Sequence, residues 1–208
     1  LIYSNTVTDG EDPRTFLYNG VPYCLTWYPR QSVFDYKVIN LLTEEVHNLT
    51  IEGYPETKVN ILGKNWIPFV KNKELYFITT IDPHLSIIKY DPTTNHCTWV
   101  TTDIHAQTIS HSQGGTPLLF SSQHKCFYGL GHRTHSGDRH NPFLYTLSED
   151  LTKVTIGDDI LDSGGVFDPL SLYEENGKIY CCSGFSGKHL NDSTSAKSCL
   201  YEVVINEA

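Results

Sequence analysis

Ten side chains in this sequence stand where they could do chemistry: Asp12, Arg14, Lys64, Asn65, Trp66, Asp82, His84, His132, Arg133 and Asp168. Carboxylates and imidazoles give or take protons, and guanidinium and ammonium groups hold anions. An indole adds a flat apolar face with a polar tip. Such groups, gathered in one place, bind sugars and run acid–base chemistry on glycosidic bonds. Each also has a plainer use. Asp12 and Arg14 could simply pair, Asp168-Pro169 could be a strand-opening turn, and Trp66 could be core or a stacking platform. Gly114-Gly115 could serve only a tight backbone bend. His132, His135 and His140, with Asp138, fit no helical or zinc-ribbon ligand spacing. They read as loop histidines at a polar cleft, and no metal site is expected.

Only a shared frame could bring residues so far apart together, and the sequence carries one. Pro13, Pro68, Pro117 and Pro169, separated by 55, 49 and 52 residues, each open an apolar run, a turn and a second apolar run. The second runs hold Tyr23, Tyr76, Tyr128 and Tyr180. A repeat of about forty to fifty residues built from short strands marks a β-propeller, one four-stranded blade per repeat. The fold class is therefore all-β, with four recognisable blades at approximately 10–55, 62–104, 112–160 and 165–206 in one domain spanning 1–208. Asn19-Gly20, Asn72-Lys73 and Asn176-Gly177 are the expected hairpin turns. The polar stretches 134–142 and 186–197 read as connectors. In a propeller blade the first strand lines the axis and the second runs antiparallel to it. The start of one and the end of the other open on the same face, which gathers the ten side chains at one mouth.

Composition excludes several function classes. The net charge of −9 argues against nucleic acid, whose phosphates are held by clustered Lys and Arg. No stretch approaches the roughly 20 apolar residues of a membrane helix. The chain starts at Leu1 and contains no methionine, which reads as a processed or trimmed piece. Its six cysteines lack CxxC spacing, leaving buried thiols and one or two disulfides as alternatives. The sequons at Asn48 and Asn191 tilt the expected location toward the secretory pathway, with the cytoplasm as the alternative.

Four segments also carry a resemblance. Gly10-Glu-Asp-Pro-Arg14 resembles the EDPR motif of the five-bladed propeller glycosidases, phosphorylases and transferases. Lys64-Asn-Trp-Ile-Pro-Phe69 resembles the KNW-x-PF segment of relatives of the β-mannoside phosphorylases. Gly114-Gly-Thr-Pro117 with Gly131-His-Arg133, and the ending from Pro169 to Tyr180, resemble later blades of the same group. The resemblance implies a first blade absent from this chain or supplied elsewhere, including by another polypeptide. It also implies action on β-mannosides or a similar glycan, by inverting transfer to phosphate, water or a sugar hydroxyl. A non-catalytic glycan-binding or structural propeller is the alternative. In that frame Arg14 and Lys64, with His132 or Arg133, face the sugar or an anionic group, and Asp12 binds sugar hydroxyls. Asn65, Trp66 and His84 complete the expected substrate-binding set. The group's general acid falls at the end of the second strand, where this sequence has Tyr28-Pro29-Arg30. That leaves Asp82 and Asp168 as general-acid candidates. No organic cofactor is implied; inorganic phosphate is a candidate co-substrate.

Overall fold

The structure is a computed structural model that describes residues 10–30, 33–53, 64–101, 112–136, 139–187 and 197–204, apart from the side chains of 28–30 and 33–35. Every regular element among them is a strand. The first blade is a meander of β1 (Glu11–Tyr18), β2 (Val21–Arg30), β3 (Val33–Asn40) and β4 (Val46–Asn48). The second contains β6 (Ile67–Lys71), β7 (Glu74–Thr80), β8 (Ser86–Asp91) and β9 (His96–Trp99), with β5 (Thr50–Ile51) added parallel to β9 at the outer edge. The chain leaving the first blade thus latches onto the second blade before entering it.

The third blade holds β10 (Ser112–Gln113), β11 (Leu119–Ser121), β12 (Cys126–His135), β13 (Arg139–Ser148) and β14 (Val154–Asp159). The fourth holds β15 (Val166–Glu175), β16 (Lys178–Ser186) and β17 (Lys197–Val203). The last two blades are joined into one eight-stranded sheet, because β13 meets β15 in parallel at His140 and Val166. In the first blade β1 lies against β6 on one side and against β15 on the other.

The hairpins follow from turn chemistry. Asn19-Gly20 and Asn176-Gly177 both take positive φ at the two central positions, which a right-twisted hairpin requires. Asn72-Lys73 does the same without a glycine. One reading of the polar stretches changes. The segment 134–142 is not a connector: β12 runs to His135 and β13 starts at Arg139, and their registered pairs reach His135–Arg139. Its alternating polar side chains point into two separate networks, so low hydropathy here does not signal a loop. Most of 186–197 lies outside the described residues.

Blades pack face to face through aromatic and aliphatic layers. Phe16, Leu25, Trp27, Tyr36, Val38, Trp66, Phe77 and Tyr90 fill the space between the first two blades. Phe69, Ile78, Phe127, Phe143, Tyr145 and Leu147 fill the next. Burying each such side chain contributes roughly 1.5–3 kcal/mol. The same layers hold the inner strands in register around the site.

Candidate functional site

The site begins with a distortion of β1. Its register against β2 shifts between Glu11 and Arg14, and Asp12 sits at φ 49°, in the left-handed region. Bulges of this kind re-aim side chains, and Asp is among the few non-glycine residues that tolerate this conformation. The consequence is that Arg14 turns inward until only 2% of it is exposed. Burial drags its guanidinium below the usual pKa, while the charges of Asp12 and Asp168 oppose that shift.

Arg14 Nη2 donates to Asn65 Oδ1 at 3.1 Å, and Asn65 Nδ2 donates to Gln113 Oε1 at 2.5 Å. Asn65 is itself left-handed, at φ 64°. Gln113 pairs in register with His132 on β12. The His132 and His140 rings stack with centroids 4.6 Å apart. His140 Nδ1 lies 2.6 Å from Asp168 Oδ1, and His132 Nδ1 lies 3.8 Å from the same oxygen. Polar side chains from all four blades are therefore gathered here: Arg14 from the first, Asn65 from the second, Gln113 and two histidines from the third, Asp168 from the fourth.

Two glycines make this convergence possible. A Cβ on Gly114 would collide with the Ile67 side chain and stand 2.5 Å from Asn65 O. One on Gly115 would stand 2.5 Å from Leu130 O. The Gly-Gly pair therefore serves close approach of neighbouring blades, and neither residue has positive φ.

Electrostatics separate the roles. Burial lowers the His132 pKa to about 4 despite the attraction of Asp168, so its ring is neutral at pH 7. Burial pushes Asp168 upward, but the hydrogen bond with His140 and the nearby charges outweigh it and hold the carboxyl below its usual range. An ionised carboxylate accepts protons; a general acid at neutral pH needs its pKa raised. Asp168 is accordingly suited to a base or a ligand, not to the acid expected from the sequence. Two buried polar atoms here have no hydrogen-bond partner: Arg14 Nε and His132 Nδ1. Such atoms are rare in native interiors and mark places where something else binds or strain is held.

Beside this centre Trp27 Nε1 donates to Asp12 Oδ2 at 3.3 Å, and Lys64 Nζ lies 5.9 Å above the Trp27 ring. Asp12, Arg14, Lys64, Asn65, His132 and Asp168 thus come together as the shared mouth requires. Trp66 and Arg133 do not. Trp66 is 1% exposed, its ring stacked on Tyr36 at 3.6 Å, so it has no face for a sugar. Arg133, one residue past His132, points to the opposite face of β12. It pairs with Asp159, donates to Gly157 O at 3.2 Å and lies 4.8 Å over the Phe143 ring. Asp82 and His84 occupy the β7–β8 connection around the cis Asp82–Pro83 bond, and His84 is exposed.

No family model matches the sequence, and no curated protein matches it. Solved structures do. An endo-arabinase from Bacteroides thetaiotaomicron is similar with a TM-score of 0.63 and 9% identity, over 96% of this chain and 77% of that one. A GH43 β-1,3-galactosidase, solved with galactodeoxynojirimycin, gives 0.58 and 10%, over 94% and 72%. A GH43 β-xylosidase/α-arabinofuranosidase from a compost metagenome, solved with xylotriose, gives 0.58 and 12%, over 93% and 70%. This chain has a β-propeller fold shared with GH43 enzymes. At such identities the likeness is one of fold, and the propeller's chemistry has to be argued from its own residues.

Sequence reasoning missed three members of the site. His140 reads only as one of several loop histidines at a polar cleft, with no role of its own. Gln113 precedes the Gly-Gly pair with nothing but that neighbourhood to mark it. Trp27, whose indole braces Asp12, looks like any strand aromatic. The unassigned Ser183, with its buried Oγ unpartnered, stands in register with Pro169 next to Asp168.

Proposed function

We propose that this propeller acts on glycans, with Asp12, Arg14, Lys64, Asn65, His132 and Asp168 as the binding mouth. The observation that carries the reading is Arg14: a buried cation with an unpartnered Nε, placed where four blades meet and flanked by two carboxylates. That arrangement suits a polyhydroxylated ligand, whose hydroxyls can donate to Asp12 and Asp168, the two carboxylates beside the buried Arg14. The fold shared with glycoside hydrolases supports the same class of ligand.

The finer reading is inverting transfer from a β-mannoside, or a similar glycan, to water, phosphate or a sugar hydroxyl. Asp168, ionised and oriented by His140, is the group to accept a proton from an attacking hydroxyl. Arg14 and Lys64 are the groups to hold phosphate. One observation favours a second reading, a non-catalytic glycan-binding propeller. The end of β2, where the resembled enzymes keep their acid, is Tyr28-Pro29-Arg30, and Asp168 is held in the wrong state to replace it.

Purified protein assayed on β-manno-, xylo- and arabino-oligosaccharides, with and without inorganic phosphate, separates the two. Turnover abolished by Asp168→Asn supports the enzyme. Saturable glycan binding without turnover, weakened by Arg14→Ala, supports the binding module. Neither turnover nor binding sinks both.

A further inference from the structure

We propose that His132, His140 and Asp168 form a binding site for a divalent late transition-metal ion, with Zn²⁺ as the ion best matched. A ring nitrogen from each histidine and an Asp168 oxygen lie within 4.8 Å of one another. Two imidazoles and one carboxylate are a donor set for zinc and its neighbours, which take three protein ligands and leave further positions open. Calcium and magnesium prefer oxygen donors throughout, so the two nitrogens select against them.

A second observation points the same way. His132 Nδ1 is buried and has no hydrogen-bond partner, yet it faces Asp168 Oδ1 across 3.8 Å. That distance is too long for a hydrogen bond and suits two ligands of one ion. A buried nitrogen lone pair left unpaired is costly, and a metal ion would satisfy it. His140 shares the same oxygen at 2.6 Å; coordination replaces that hydrogen bond by two bonds to the ion, with the proton released to solvent.

The surroundings fit a bound ion. His140 is fixed through its backbone, which donates to Gly165 O at 2.9 Å and accepts from Ser163 Oγ at 2.8 Å. His132 is held by the β12 ladder on both sides. Asp168 lines an open cleft of about 350 Å³ with Val166, Phe185 and Lys197, so this one of the three ligands is reached from solvent. Arg14 lies near enough to oppose a further positive charge, and Asp12 beside it compensates in part. Affinity below that of a closed structural zinc site follows.

The ion would share His132 and Asp168 with the proposed glycan mouth, and its binding is measured without any glycan turnover. The test uses the full chain, stripped of metal by chelator and titrated with Co²⁺ and then Zn²⁺. One equivalent of Co²⁺ should bind with the visible absorption of a low-coordinate ion and be displaced by Zn²⁺. His132→Ala and His140→Ala should each weaken binding by at least about tenfold. In the unsubstituted protein, labelled imidazole nitrogens of His132 and His140 should shift together on adding Zn²⁺, which needs no variant to fold. Absence of saturable binding up to millimolar metal would overturn the proposal. So would binding that survives both substitutions, that leaves the two imidazoles unmoved, or that favours Ca²⁺ over Zn²⁺.

Discussion

Arg14 and Asn65 sit 51 residues apart in sequence and are joined by a buried hydrogen bond of 3.1 Å between the inner ends of two blades. Both depend on backbone that most residues avoid: Arg14 follows a bulge opened by left-handed Asp12, and Asn65 is left-handed itself. Strained backbone of this kind persists only where surrounding structure over-determines it, and it concentrates at functional sites. The four-blade polar network starts from this pair.

Removing Arg14 should therefore cost more than one hydrogen bond. Arg14→Ala leaves Asn65 Oδ1 unpaired and Asp12 and Asp168 without their shared cation. The expected loss is about 3–5 kcal/mol in urea unfolding. Arg14→Lys restores charge but not the planar fork, so it should recover only part of that loss. Full stability in Arg14→Ala would show that the network contributes nothing to folding.

The glycines make a second test, because two of them differ in what surrounds them. Gly114→Ala drives a methyl into Ile67 and the Asn65 carbonyl, which holds the very residue Arg14 needs. A loss of about 1–3 kcal/mol is expected from overpacking alone. Gly184 in β16 has nothing within 4 Å of where an added methyl would stand and no positive φ, so Gly184→Ala should be neutral or stabilise by about 0.4–1 kcal/mol. Thermal melts should show Gly114→Ala below the parent protein and Gly184→Ala at or above it.

How much of this was legible in sequence depended on which physical signal each residue carried. Pro13, Pro68, Pro117 and Pro169 open equivalent inner-strand segments, so Arg14, Asn65 and Asp168 could be placed by counting from them. His140 could not: the start of its strand is polar because its side chains serve Asp159 on one face and Asp168 on the other, and polar residues on both faces look like a loop. Arg133 and His132 are adjacent and look like partners, yet the pleat sends them to opposite faces. Trp66 borders Lys64 and Asn65 in sequence, but its ring lies between blades against Tyr36, a fact set by tertiary packing alone.

Acid should unpick the second polar cluster. Burial disfavours an ionised Asp159, but hydrogen bonds from Asn141, His135 and Arg133 outweigh it and hold the carboxyl below its usual range. Its folded pKa is thus lower than the unfolded value of about 4. The stabilisation is complete above that unfolded value and is lost as pH falls through the folded pKa. Asp159→Asn should flatten the acid limb of the stability profile and cost about 1–3 kcal/mol at neutral pH. Arg133→Ala should likewise lower stability while leaving glycan affinity unchanged, since Arg133 faces away from the mouth. A parallel loss of glycan affinity would return Arg133 to the site.

Trp66 offers the sharpest separation of packing from recognition. It directly follows two mouth residues, but only 1% of it is exposed and Tyr36 covers its ring at 3.6 Å. A sugar-stacking indole must present a free face, and this one has none to present. Trp66→Phe keeps an aromatic ring against Tyr36 and should retain glycan affinity with a modest loss of stability. Trp66→Ala opens a cavity between the first two blades and should cost about 3–5 kcal/mol. Glycan titrations of Trp66→Phe, run well below its melting temperature, decide the matter. Affinity lost in proportion to ring size, with stability intact, would place the indole at the ligand; unchanged affinity with a lowered melting temperature assigns it to the interface between the first two blades.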